Sequence, residues 1–221
     1  MNPSVFWALV RKDLYLLRGF MLITALTGVL CLVLISFGKV AFAVGGVLFL
    51  TADIASGIFI AMYSLLAERK GQARAFALSL PISGFRYELS KLVSGYLAFG
   101  IPWLVLTALA LGVFLLPGAE RGMIVYALLL QMFVVALFSV MLAALLAMQS
   151  EGLSGVVILV VNICFSLFVI ELNLPQNTRA FHGPAVVWTR FATLSLSLDA
   201  ALLVLTLGFS LVLMSRRRDY V

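Results

Sequence analysis

The sequence predicts an all-α integral membrane protein, with six transmembrane helices, an N-terminal interfacial amphipathic helix and both termini cytoplasmic. Three observations predict it. Of 221 residues, 64% are hydrophobic and 11% charged, whereas a soluble domain carries about 45–50% apolar residues. Too little polar surface remains to face water. Six apolar runs approach the roughly 20 residues that a helix needs to cross a bilayer core of about 30 Å. The basic residues are also asymmetric about those runs. Eleven of the fifteen Lys and Arg lie on one side, and four (Lys39, Arg121, Arg179, Arg190) lie on the other. The positive-inside rule makes the richer side, with both termini, cytoplasmic.

Taken in order, residues 4–18 form the amphipathic helix. At about 100° per residue, Phe6, Leu9, Val10, Leu14, Leu16 and Leu17 share one face, opposite Ser4, Arg11, Lys12, Tyr15 and Arg18. Such a helix suits the headgroup plane. Asp13 falls within its apolar face, where it either snorkels near the helix end or makes a salt bridge into the bundle. The first span is expected at 20–38 and the second at 41–66. The second contains the pair Gly45-Gly46, read as a close helix contact, and Asp53 at mid-depth. A carboxylate at that depth costs about 2.5–3.5 kcal/mol on insertion scales and faces protein or water. Asp53 is either a pathway residue or a structural contact between helices.

The loop at 67–91 holds five of the fifteen basic residues, around a Leu-Pro step. Residues 72–80 have room for about two helical turns, with Arg74 set among Phe76, Leu78 and Leu80. Pro81 disfavours helix at the residue before it, and Ser83 can cap a new helix that runs through Arg86, Glu88 and Lys91 into the third span. A docking element fits this pattern; a charged membrane anchor would need the basic residues alone. The third and fourth spans are expected at 92–116 and 123–148. Gly152, Ser154 and Gly155 read as a turn. The fifth span, 156–171, reaches only about 24 Å. It contains Asn162 and ends at Glu171, and two prolines, a glycine and Trp188 follow it. An outer re-entrant or surface segment over 172–193 is therefore expected before the last span at 194–214. Glu171 and Asp199 are placed at the membrane interface. No removable signal peptide, internal repeat or linker is expected, so 1–221 reads as a single membrane domain.

Covalent chemistry finds little material. Cys31 and Cys164 lie in apolar runs without metal-ligand spacing, and read as small buried hydrophobes. Neither a metal site nor a bound cofactor is expected. GLSG at 152–155 resembles the serine motif of rhomboid-type intramembrane proteases. The only histidine, His182, is however expected a bilayer away from Ser154, beyond the reach of a general base. No GxxxxGK[ST] phosphate loop occurs. The net charge of +6 is assigned to loops held against anionic lipid, not to nucleic acid.

The chain resembles the permease subunits of ABC-2 type ABC transporters. The residues that carry the likeness are RKDL at 11–14, the six spans, and ERKGQARAFALSLPISGFRYELSK at 68–91. The family's usual Gly-Thr is replaced here by Gly71-Gln72. The resemblance implies an exporter-like fold in a prokaryotic plasma (inner) membrane. It implies that the loop after span two docks a separate ATPase subunit, through Glu68, Arg69, Gln72, Arg74, Phe76, Leu78 and Pro81. It also implies ATP and magnesium on that partner, and pairing with a second permease subunit as homodimer or heterodimer. Alternatives are a haem-exporter-type permease of cytochrome c maturation, a membrane assembly protein without transport, and an intramembrane enzyme.

Overall fold

In a computed structural model, residues 3–64, 83–116, 119–147 and 151–216 are described. Every regular element among them is helical. The helices are α1 (Pro3–Ile35), α2 (Lys39–Met62), α3 (Gly84–Val113), α4 (Met123–Ala147), α5 (Glu151–Leu172), α6 (Pro175–Phe181) and α7 (Arg190–Arg216). All except α6 are long and apolar enough to cross a membrane, which makes six spans. The loop residues Glu68, Arg69, Gln72, Arg74, Phe76, Leu78 and Pro81 lie outside the described residues.

The first correction concerns the N-terminus. The expected interfacial helix and first span are one continuous helix of 33 residues, about 50 Å long at about 1.5 Å per residue. The amphipathic pattern has a different cause from the one read in the sequence. Leu9, Val10, Asp13 and Leu17 are buried because that face packs against α3. Protein takes most of the apolar stripe, while Leu16 stays exposed.

A tight turn links α1 to α2, with Gly38 at φ 112°, a region that L side chains rarely adopt. The two helices then run antiparallel in close contact. A Cβ at Gly45 would come 2.9 Å from the Cys31 carbonyl oxygen, so the expected close packing holds at that glycine. Ser83 is the N-cap of α3, as expected, with extended backbone but no side-chain capping bond. The helix starts at once, eight residues before the expected span.

The bundle is built around α4. Two thirds of its span window (67%) is buried, against 11–33% for the other five. The sequence explains this, because α4 is apolar on every side and has no solvent-facing stripe to satisfy. Its buried side chains pack with those of α2, α3 and α5, including Ile60, Phe99 and Val161. Phe99 stacks on Phe138 at 4.2 Å, an offset aromatic geometry that adds to the area buried.

The fifth span is not short. Residues 151–155, expected as a turn, begin α5, which has 22 residues and so reaches about 33 Å. Glycine is a weak helix former in water, but a helix is the local way to satisfy the backbone in an apolar phase. The expected break follows α5. Pro175 opens α6 as its first residue, where its missing N–H costs nothing. Phe181 at the end of α6 is buried against Tyr126, edge to face at 5.6 Å.

Candidate functional site

Buried polar clusters mark the bundle at more than one level. The first lies at mid-span. Asp53 is 1% exposed and Gln131 2%. Gln131 donates from Nε2 to Asp53 Oδ2 at 2.8 Å. Its own Oε1 accepts from Thr107 Oγ1 at 3.2 Å, and its main-chain carbonyl accepts from Trp103 Nε1 at 3.1 Å. The network thus ties α2, α3 and α4 together at one level. Ser56 supports it by donating to the Asp53 carbonyl at 2.8 Å. Asp53 is therefore satisfied by protein, which removes much of the cost of its burial.

The second cluster lies at the end of the bundle where α1 begins. Lys91 Nζ donates to both carboxylate oxygens of Asp13, at 3.0 and 2.8 Å. Ser94 Oγ adds a third bond to Oδ2 at 3.1 Å. Asp13 and Lys91 are each 4% exposed, while Lys12 reaches the same carboxylate at 3.5 Å from a half-exposed position. Of the two alternatives for Asp13, the salt bridge into the bundle holds. It joins α1 to the foot of α3, nine residues past the end of the 67–82 loop segment. Arg11 is exposed beside it.

A third chain of polar groups crosses α3, α4 and α7. The hydroxyls of Tyr96 and Ser139 are hydrogen bonded, and Ser139 meets Thr206 Oγ1 at 2.5 Å. Thr206 spends its proton on the Leu202 carbonyl. Each hydroxyl has one proton, so donation runs from Tyr96 through Ser139 to Thr206.

The other residues singled out in the sequence separate from these clusters. Asn162 is half-buried and turns onto its own helix, donating to the Ile158 carbonyl at 2.8 Å. Glu171 is in the last turn of α5, and its main-chain carbonyl accepts from Asn177 Nδ2 at 2.8 Å. Asp199 corrects the expectation of an interfacial site: it is 5% exposed, well inside α7. Its Oδ2 has no hydrogen-bond partner among the described residues. Cys164 is exposed while Cys31 is buried, so only one of the two is the buried hydrophobe expected. Ser154 lies in the first turn of α5 and His182 follows α6. Most of α5 and all of α6 lie between them in the chain.

Sequence reasoning missed Gln131, Lys91 as the partner of Asp13, and the burial of Asp199. A signal existed for Gln131, since it is the only amide in a largely apolar run of 25 residues.

At the end opposite the Asp13–Lys91 pair, the loop before α4 is held to the end of α6. Gly122 donates to the Gly183 carbonyl at 3.0 Å, and Glu120 Oε2 lies 2.5 Å from His182 Nδ1. Both side chains remain about half exposed.

Six spanning helices with buried polar contacts between them define a polytopic membrane protein. Residues 8–215 match the family model described as ABC-2 family transporter protein. The chain belongs to that family, and is a membrane-spanning permease subunit of an ABC transporter. The family is a transport component, not itself catalytic, and implies association with an ATPase subunit. No curated protein and no solved structure gives a significant match.

Proposed function

We propose that this chain is the permease of an ATP-driven exporter in a prokaryotic plasma membrane, with the Asp13–Lys91 end cytoplasmic. It docks a separate ATPase through residues 72–80 and pairs with a second permease subunit. ATP and magnesium are handled by the ATPase alone. The observation that carries this reading is the concentration of basic and apolar residues around the Leu-Pro step of 68–91 in a chain of this family. The Asp13–Lys91 pair supports it. The docking segment leads into α3, whose foot is locked to α1, so a push on that segment would move two helices as one body. Asp53 and its partners Gln131 and Thr107 serve as the polar contact at mid-span that such movement would make or break.

The test is a pull-down of the cognate ATPase at two salt concentrations, with hydrolysis measured in parallel. Phe76→Ala removes an apolar anchor and should weaken binding by about 2 kcal/mol or more, whereas Arg74→Ala should act mainly at low salt. The isolated permease should hydrolyse no ATP. A silent Phe76→Ala together with a strong Arg74→Ala would leave only a charged anchor.

A further inference from the structure

We propose that the cavity between α2, α4 and the end of α5 is a binding site for one alkyl chain of a bilayer lipid. The cavity has a volume of about 320 Å³, within the roughly 300–1,000 Å³ of small-ligand sites. Its wall includes Ala43, Gly46 and Val47 of α2, Ala127 and Leu130 of α4, and Val169 of α5. Three polar side chains also reach it, Gln131, Asn173 and Tyr126, and each already has a hydrogen-bond partner in the protein. Gln131 is spent on Asp53 and Thr107, and the Asn173 amide nitrogen on Tyr126 and the Val169 carbonyl. A polar occupant would give up its bonds to water with little return. Water is a poor filling, because it needs about two to four polar partners and few unspent ones line the wall. An apolar occupant recovers the dispersion contacts that an empty space forfeits.

Placement decides which apolar molecule. Ala43, Val47 and Asn173 are exposed, whereas Phe49, Ala110 and Leu130, which line the same cavity, are buried. The space therefore opens sideways between α2 and α5 and runs inward toward the centre of the bundle. Both flanking helices are long and apolar enough to span a membrane, so the mouth faces the alkyl chains of one leaflet. In the orientation proposed above this is the outer leaflet, but the binding itself depends on neither orientation nor transport.

Gly46 provides the test. It lines the cavity, and a Cβ built there meets nothing within 4 Å; a larger side chain can enter the space without a clash at its base. The full chain would be reconstituted in nanodiscs of phosphatidylethanolamine containing a fraction of the same lipid with a diazirine near the end of one chain. After irradiation, labelled positions are mapped by mass spectrometry. Lipid merely surrounding the protein labels exposed residues such as Leu198 and Val204 and leaves buried ones untouched. We expect labelling of the buried Leu130 and Ala110, reduced at least about tenfold, or 1.4 kcal/mol, by Gly46→Phe. Gly208→Phe, on a position of α7 where a Cβ also meets nothing within 4 Å, should leave it unchanged. If Gly46→Phe fails to fold, Ala43→Phe at the exposed mouth serves instead. The proposal is overturned if Leu130 and Ala110 stay unlabelled while Leu198 is labelled. It is equally overturned if the filling variants change nothing, or if a bifunctional reagent shows a second copy of the chain seated at Val47.

Discussion

The pair formed by Asp13 and Lys91 makes a quantitative forecast. Their side chains are 6% and 5% exposed, and three hydrogen bonds converge on the carboxylate. Removing one partner leaves a buried charge uncompensated, at a cost of about 3–5 kcal/mol, whereas replacing both by apolar groups of similar volume is often nearly neutral. Asp13→Leu and Lys91→Met should therefore each destabilise the chain by about 3 kcal/mol. The double variant should lie within about 1 kcal/mol of the parent. Additive singles would predict a loss of about 6 kcal/mol, so the expected interaction energy is large and of the sign that defines a coupled pair. Lys12 does not rescue the Lys91 variant, because half-exposed pairs contribute about 0–1 kcal/mol. The assay is equilibrium unfolding of the purified chain in mixed micelles, read by helix signal and by protease resistance. A charge exchange, Asp13→Lys with Lys91→Asp, tests pairing independently by partial rescue. Silent single variants, or a double variant that is simply additive, would refute the idea that the pair locks α1 to α3.

Three further outcomes follow from the same packing. In a background with Cys31 and Cys164 replaced, cysteines at Gln72 and Ser215 should resist an impermeant thiol reagent in intact cells while one at Gln176 labels; labelling at Gln72 would reverse the proposed orientation. Gln131→Leu deprives buried Asp53 of its donor and should cost about 1–3 kcal/mol, more than Asp53→Asn, which keeps the shape and a polar partner; both should lower transport, and full transport by Asp53→Asn at normal protein levels would return Asp53 to a purely structural role. Asp199 has a buried oxygen without a hydrogen-bond partner among the described residues, so Asp199→Leu should hold or raise stability by about 1 kcal/mol, and a clear loss in thermal unfolding would show that the carboxylate has a structural partner.

Much of the fold was legible because hydropathy is a local quantity. Six runs of apolar residues had to become helices, since a helix satisfies its own backbone where no water is present. The Pro175 break, the Ser83 cap and the close approach at Gly45 were legible for the same reason, as each rests on a few adjacent residues. Asp53 stood out because a carboxylate in an apolar run must find a partner.

The partners themselves were not legible. Asp13 and Lys91 are 78 residues apart in the chain, as are Asp53 and Gln131, and no local pattern links such distant positions. Asp199 shows the same limit: hydropathy placed it in or beside a span but could not say which face of α7 meets α4. The N-terminal helix shows its counterpart, because an apolar stripe reads alike whether lipid or protein covers it. In a membrane the two surroundings are equally apolar. The sequence by itself therefore determined which segments cross the bilayer. Only the tertiary structure decided which faces meet, and with them which buried charges are paired.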